Sequence, residues 1–288
     1  MISIIINPVS GGAAPGVARG RAQLAAARLS ARGEDGSVVL TERRGHARDF
    51  AAAAVRRGDP LVIAWGGDGT VNEIASALVG TSTALGIVPA GSGNGLAREL
   101  GVPVAPEAAI DHACASPGRA VDAGQLGGRW FFSIAGIGFD AHVASAFDQA
   151  HGRRGLSTYV RITARELWRY RCGHYCIDGG EPVGALLVTF ANSAQFGNGA
   201  RIAPGARIDD GLLDLVVFEE RSRVATLWGL PRLFTGGVKH VRGVTIRQVT
   251  DAVVESEVPM TFHVDGEPVQ GGTRLEARIH PGVLRVAG

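Results

Sequence analysis

Short apolar runs alternate with helix-period stretches over the first part of the chain. Ile2 to Ile6 has strand length, Val17 to Arg32 has helical character, and Ser37 to Leu40 returns to a strand pattern. A further helix over about His46 to Arg57 leads to the apolar run Leu61 to Trp65, a helix opening near Thr70, and a strand from Ala84 to Val88. This alternation predicts a mostly parallel sheet covered by helices. After Thr70, the residues Val71, Ile74, Ala75 and Leu78 share one helix face, which assigns that face to the core and leaves Asn72 and Glu73 elsewhere.

Beyond about Val121 the pattern changes to closely spaced strands: Trp130 to Ile134, Ala185 to Phe190, Leu213 to Phe218, Val244 to Val249, Thr261 to Val264 and Leu275 to Ile279. Helical stretches interrupt them at about Ala141 to Ala150, Leu156 to Arg171 and Arg223 to Phe234. A chain of 288 residues is long for one core and natural for two. The expected division is an α/β domain over 1–122 and a β-rich domain over 123–275.

Composition narrows the class. Hydrophobic residues at 45% and charged residues at 19% are ordinary for a globular protein. The 42 glycines are about twice the average share and gather in short loops, where a bare backbone can approach a ligand. A net charge of +2 without a basic stripe argues against nucleic acid as a partner. Lys239 is the only lysine, which excludes a Walker A loop and a protein-kinase lysine. Cys114, Cys172 and Cys176 form an odd set without a disulfide framework, and the run Ile2 to Ile6 lacks a basic lead and is too short for a signal peptide or span. A cytoplasmic protein is the expectation.

The chemistry concentrates after the strand that ends at Trp65. A glycine-rich turn followed by a helix N-terminus points several backbone N–H groups at one spot, the geometry that binds phosphate. Gly66, Gly67 and Gly69 let the backbone approach, and the Thr70 hydroxyl can donate to a phosphate oxygen. Asp68 would repel a phosphate. It fits instead as a magnesium partner, as a base for an attacking hydroxyl, or simply as the N-cap of a tight turn.

Companion loops follow the neighbouring strands: Asn7, Pro8, Val9, Ser10, Gly11 and Gly12 after the first, Thr41 after the second, and Gly91, Ser92, Gly93, Asn94 and Gly95 after the fourth. In open α/β sheets ligands collect there. The last loop is not a dinucleotide fingerprint, since its third glycine comes one position early.

Asn7 to Gly11, Gly66 to Asn72 and Pro89 to Arg98, taken in order, resemble the diacylglycerol kinase catalytic-domain family, which includes bacterial diacylglycerol kinase-like enzymes, sphingosine kinases and ceramide kinases and is distantly related to NAD kinases. The resemblance extends over nearly the whole chain. It implies an N-terminal α/β nucleotide-binding domain of NAD kinase/diacylglycerol kinase type, a C-terminal β-sandwich-like domain, and a last segment, about 276–288, able to return to the first domain. It also implies ATP as donor, Mg2+, and a lipid hydroxyl as acceptor.

Carried over by motif, Asn7, Thr41, Gly66, Gly67, Asp68, Gly69, Thr70, Val71, Asn72 and Ser92 correspond to nucleotide contacts. Asp265, Gly266 and Glu267 resemble the family's late Asp-Gly-Glu motif, which makes Glu267 a second base candidate beside Asp68; alone, the segment reads as a hairpin turn. Asp209 to Leu212 resembles the bacterial metal-binding segment, with the Asp210 carboxylate and the Arg207 and Leu212 carbonyls as ligands; alone, it reads as a turn with a solvated aspartate pair. Gly136 to His142 resembles a lipid-headgroup region and offers Asp140 as an acceptor contact, with a helix cap as the alternative. Arg153 and Arg154 are candidates to assist the phosphates, or a solvated pair.

Gly95 stands where many diacylglycerol kinases carry an aspartate, and Gly91 to Ala97 is closer to the sphingoid and ceramide branch. The acceptor is therefore open among a diacylglycerol-like lipid, a sphingoid base and ceramide. Leu227, Trp228, Leu230, Leu233 and Phe234, with Arg221, Arg223 and Arg232, form either an interfacial surface for peripheral membrane contact or a core-facing helix. The rival readings are a soluble-metabolite kinase of NAD kinase type and a non-catalytic nucleotide- or lipid-binding protein. The oligomeric state is open, with a homodimer among the options.

Overall fold

The computed structural model describes residues 1–13, 16–116, 118–149, 156–197, 200–229 and 232–287. The chain divides into two compact units, Met1–Val121 with Gly282–Gly288, and Asp122–Pro281.

The first unit runs β1 (Ile2–Ile6), α1 (Val17–Ala31), β2 (Gly36–Leu40), α2 (His46–Arg57), β3 (Leu61–Gly66), α3 (Asp68–Leu78), β4 (Ala84–Pro89), α4 (Gly95–Glu99) and α5 (Pro106–Ala115). The strands are parallel in the order β2–β1–β3–β4, and Arg285 and Val286 add a further parallel segment beside Ala84 and Leu85. A sheet covered on both faces demands continuous apolar strands, and Ile4, Ile5, Ile6, Val62, Ile63 and Ala64 are wholly buried. The β1-to-β2 and β2-to-β3 connections run in opposite directions, so right-handed crossovers put α1 and α2 on opposite faces. Accordingly α2 packs with α3, and α1 with α5. The order reverses at β1, and the crevice beyond the carboxyl ends of β1 and β3 is the ligand position of such sheets.

Local chemistry sets the helix ends. Helix α2 stops at Gly58, which takes a left-handed φ of 78° and returns its N–H to Ala54 O. Helix α5 opens on a proline, whose missing N–H is one of the unpaired donors of a first turn in any case. Helix α3 buries Val71, Ile74, Ala75 and Leu78, the face that the sequence assigns to the core.

Continuing the numbering, β5 (Gly118–Leu126) leads into the second unit, followed by β6 (Arg129–Phe131), β7 (Ile134–Gly138), α6 (Phe139–Gln149), α7 (Leu156–Arg169), β8 (Gly173–Ile177), β9 (Val183–Ala191), β10 (Gln195–Gly197), β11 (Ala200–Arg201) and β12 (Leu213–Glu219). Then come α8 (Arg223–Gly229), α9 (Arg232–Thr235), β13 (Val244–Val249), β14 (Asp251–Glu255), β15 (Thr261–Val264), β16 (Glu267–Gln270) and β17 (Arg274–Ala287). One antiparallel layer is β16–β15–β7–β9–β12–β13. A second, β8–β14–β17, joins the first through the opening residues of β9. Val188, Phe190, Leu215 and Phe262 of the first layer share one core with Tyr175, Val254, Leu275 and Ala277 of the second, which makes this unit a sandwich. Strand alternation sends Leu187, Ala191 and Val216 to the opposite face, into a separate cluster.

Two expected elements differ. The run Trp130 to Ile134 is two strands, because Phe132 and Ser133 turn their N–H groups to the Asp265 carboxylate. The helix expected over Arg223 to Phe234 is two short ones, α8 and α9, with 230–231 outside the described residues. Among the described residues no helix is long and apolar enough to cross a membrane.

Candidate active site

In the first unit, β3 ends at Gly66, Gly67 is the extended N-cap, and α3 opens at Asp68. Gly66 and Gly91 are required by their neighbours. A methyl group on Gly66 would sit 2.5 Å from Thr70 Cβ, and one on Gly91 would sit 2.7 Å from Gly67 Cα. The two glycine loops therefore touch backbone to backbone. Asp68 ties them together: its Oδ1 accepts the Gly95 N–H at 2.7 Å and its Oδ2 the Asn94 N–H at 2.9 Å. Asn94 holds a left-handed φ of 52°, and its side chain accepts from Gly91 N–H and donates to Gly91 O. Arg98 donates to Gly93 O at 2.9 Å.

The loop after β1 joins the same cluster. Asn7 N–H donates to Trp65 O, and Asn7 Nδ2 donates to Thr70 Oγ1 at 2.9 Å. Thr70 is buried beneath Gly66, so its hydroxyl braces the two loops. Gly11 takes a left-handed φ of 71° against Ala90 O, where a side chain would meet that oxygen at 2.5 Å. Arg21 on α1 donates to Asn7 O, Ser10 O and Ser10 Oγ. Thr41 N–H donates to Ile6 O, and Glu73 accepts the Gly45 N–H at 2.8 Å, fastening the loop after β2 to α3. Gly67 and Gly69 are half-buried, Ser92 is exposed, Val71 faces the core, and Asn72 accepts from the Ser76 hydroxyl. The structure thus gathers Asn7, Gly66 to Thr70 and the Gly91 to Gly95 loop at one end of the sheet.

In the second unit, Asp265 and Gly266 both take positive φ, 48° and 85°, as a two-residue hairpin of mirror-image type needs. The Asp265 carboxylate accepts three backbone N–H groups, from Phe132, Ser133 and Ile134. Glu267 follows directly, half-buried at the start of β16. Asp140 sits in the first turn of α6 and accepts the Ala141 N–H, and it is buried, with Thr189 Oγ1 at 2.9 Å and His263 Nε2 at 3.3 Å from its Oδ2. Arg153 and Arg154 lie outside the described residues, as do Leu230 and the side chains of Leu227, Trp228, Leu233 and Phe234.

The Asp209 to Leu212 turn is laced to Asp122. Gly211 N–H donates to Asp122 Oδ2 at 2.7 Å, Asp122 N–H donates to Ile208 O, and Asp210 accepts the Leu212 N–H. Burial and the nearby Asp210 push the Asp214 carboxyl up to about 6. Asn192 Nδ2 donates to Asp122 O, while Asn192 Oδ1 and Ser193 Oγ are buried without a protein partner. Among the described residues no three His, Cys, Asp or Glu side chains gather as a metal site. The donors present are hard oxygens in an electronegative turn, and they fit a hard divalent cation held partly by carbonyls.

Sequence reasoning named Asn94 only as a loop residue and Asp265 only as part of a motif or hairpin turn, and it passed over His263. The glycines flanking Asn94 signal a left-handed position, and Asp-Gly signals a mirror-image turn. Nothing local marks His263.

Residues 1–126 match the diacylglycerol kinase catalytic domain, and residues 133–288 match the YegS C-terminal NAD kinase beta sandwich-like domain. The chain is 34% identical over 278 residues to a diacylglycerol kinase of Mycobacterium tuberculosis, covering 92% of this chain and 88% of the relative. It is 33% identical to a protein of Chromohalobacter salexigens named "probable lipid kinase YegS-like", covering 91% and 87%. Its fold matches the crystal structure of a diacylglycerol kinase from Bacillus anthracis with a TM-score of 0.74 at 19% identity, covering 99% of this chain and 96% of that one. With both halves of the chain matched and relatives above 30% identity along its length, the protein belongs to the diacylglycerol kinase family of ATP-dependent lipid kinases.

Proposed function

We propose that the protein transfers the γ-phosphoryl group of ATP to the primary hydroxyl of a diacylglycerol-like lipid. The observation that carries this reading is the pair of glycine loops joined by Asp68 at the α3 N-terminus, where the two backbones pack directly against each other. The ATP contacts are Asn7, Thr41, Gly66 to Asn72 and Ser92. Relatives named diacylglycerol kinase favour a glycerolipid over a sphingoid base or ceramide.

Of the two base candidates, Glu267, in the segment that resembles the family's late Asp-Gly-Glu motif, is assigned proton acceptance from the lipid hydroxyl, and Asp68, which accepts two backbone N–H groups, is assigned the role of a strut. In-line attack on the γ-phosphorus then forms the new P–O bond as the bond to the β-phosphate oxygen breaks, with backbone N–H groups stabilising the charge on the phosphoryl oxygens. Asp210, with the Arg207 and Leu212 carbonyls, would hold Mg2+. A bound divalent cation supplies charge neutralisation that fixes the local turn.

For membrane access, α7 offers Trp168, 60% exposed, beside exposed Arg165, Arg169 and Arg171. An indole among guanidinium groups suits the surface of an anionic bilayer. The deciding assay is ATP turnover with detergent-dispersed diacylglycerol, sphingosine and ceramide beside NAD. Phosphate transfer to diacylglycerol is expected; transfer to NAD alone would overturn the lipid reading, and tight ATP binding without any turnover would leave a binding protein.

A further inference from the structure

His263, Gly136 and Thr189 lie side by side on three adjacent strands, with His263 opposite Gly136 and Gly136 opposite Thr189. Their neighbours Phe262, Val264, Ala135, Ile137, Val188 and Phe190 all enter the sandwich core, so strand alternation turns this polar row to the opposite face. The middle position has no side chain, and Asp140 fills the space. A methyl group on Gly136 would fall 1.9 Å from Asp140 Oδ2, so the carboxylate occupies the gap and reaches both flanking residues. Its side chain is 2% exposed and that of His263 is 7% exposed.

The imidazole uses both nitrogens. Nδ1 accepts the Gly266 N–H at 3.2 Å, which requires it to be unprotonated; the hydrogen-bond pattern therefore assigns the ring proton to Nε2, facing Asp140. A buried carboxylate polarises this donor and strengthens the chain from Asp140 through His263 to the Gly266 amide. Asp265 clamps the first residue of the hairpin, and His263 clamps the second. Glu267 is the next residue.

We infer that Asp140 and His263 are a positioning pair that fixes the Asp265–Gly266 turn and so aims Glu267. The inference rests on the reading of Glu267 as the proton acceptor. Asp140 then acts from beneath the turn, its carboxylate oxygens turned to Ala141, Thr189 and His263. Misplacing a base by a fraction of an ångström slows the chemical step, while ATP binding on the first unit is untouched.

The test uses the full chain with ATP and dispersed diacylglycerol, comparing His263→Ala, His263→Asn, His263→Gln, Asp140→Asn and Glu267→Gln. His263→Ala is expected to lower kcat roughly 10- to 100-fold with KM for ATP unchanged. His263→Asn places Oδ1 near the Nδ1 position and recovers most of the rate, whereas His263→Gln restores only the Nε2 end and does not. Exchange of the Gly266 amide is expected to accelerate in the Ala and Gln variants but not in Asn. Asp140→Asn lowers kcat by less than His263→Ala, because the Nδ1 contact to Gly266 remains. In a Glu267→Gln background, His263→Ala adds no further loss. Equal rates for the Asn and Gln variants, which decide the matter even where the Ala variant does not fold, would overturn the pair. So would a further loss in the Glu267→Gln background. Full activity in Glu267→Gln would remove the base itself, whereas an inactive Glu267→Gln beside a fully active His263→Ala would remove the positioning role alone.

Discussion

The Asp68 carboxylate accepts the Gly95 N–H at 2.7 Å, and this bond, with its companion from Asn94, makes a charged side chain the strut between two glycine loops. Replacing Asp68 by asparagine keeps the shape but presents an NH2 group to a backbone N–H, leaving one donor facing another. Hydrogen bonds to a charged group contribute about 1.5–3 kcal/mol each, so a stability loss of that order is expected in urea unfolding. The loops should also separate, raising KM for ATP. An Asp68→Asn variant with wild-type stability and KM would refute the strut.

Gly66→Ala tests the packing of the same loop. The new methyl group has nowhere to go, since Thr70 lies 2.5 to 2.8 Å from its position and is itself held by Asn7. Overpacking of this kind costs about 1–3 kcal/mol. The expected phenotype is loss of ATP binding by calorimetry with the β-sandwich unit still folded by circular dichroism. The double variant Gly66→Ala, Thr70→Ser, which removes the methyl group met at 2.8 Å, should recover part of the binding.

Much of the first unit was legible because strands buried on both faces write themselves as unbroken apolar runs, and Ile2–Ile6 and His46–Arg57 begin and end where the pattern places them. Half-buried or short strands carry weaker signals. β14 and β16 escaped for that reason, since the runs at Asp251–Glu255 and Glu267–Gln270 are short and only partly buried. The break inside Trp130 to Ile134 depends on Asp265, over 130 positions away in sequence. No local pattern encodes a carboxylate arriving from that distance. The site shows the same division: the glycine loops announce themselves, whereas the partner of each polar side chain, such as His263 for Asp140, is set by strand register alone.

His280 gives a pH dependence of known sign. Burial, with Arg278 nearby, holds its pKa below the ordinary value of 6.5, while Trp130 meets the ring edge-on at 4.8 Å and Gln125 Oε1 lies at 3.2 Å. The unfolded chain therefore takes up this proton first as the pH falls. The associated stability is fully present above 6.5, declines as the pH drops from 6.5 to the depressed folded value, and is constant below it. Urea unfolding at several pH values should show the wild type losing stability relative to His280→Gln across that window. Parallel curves for the two proteins would contradict the assignment.

Trp168 is the last group whose placement makes a functional demand. A large indole 60% exposed on a helix whose Leu167 and Ile162 are buried is not needed for the core, and the neighbouring Glu166 is bonded to His142 and Arg165. Inserting part of the ring into a bilayer interface contributes about 1–2 kcal/mol, or roughly tenfold in partitioning. Sedimentation with phosphatidylglycerol/phosphatidylcholine vesicles should therefore show Trp168→Ala binding roughly tenfold more weakly, with turnover on detergent-dispersed lipid unchanged. Binding should fall further at high salt, because Arg169 and Arg171 act through screened attraction to anionic headgroups. Equal vesicle binding by wild type and Trp168→Ala would overturn the membrane role proposed for Trp168.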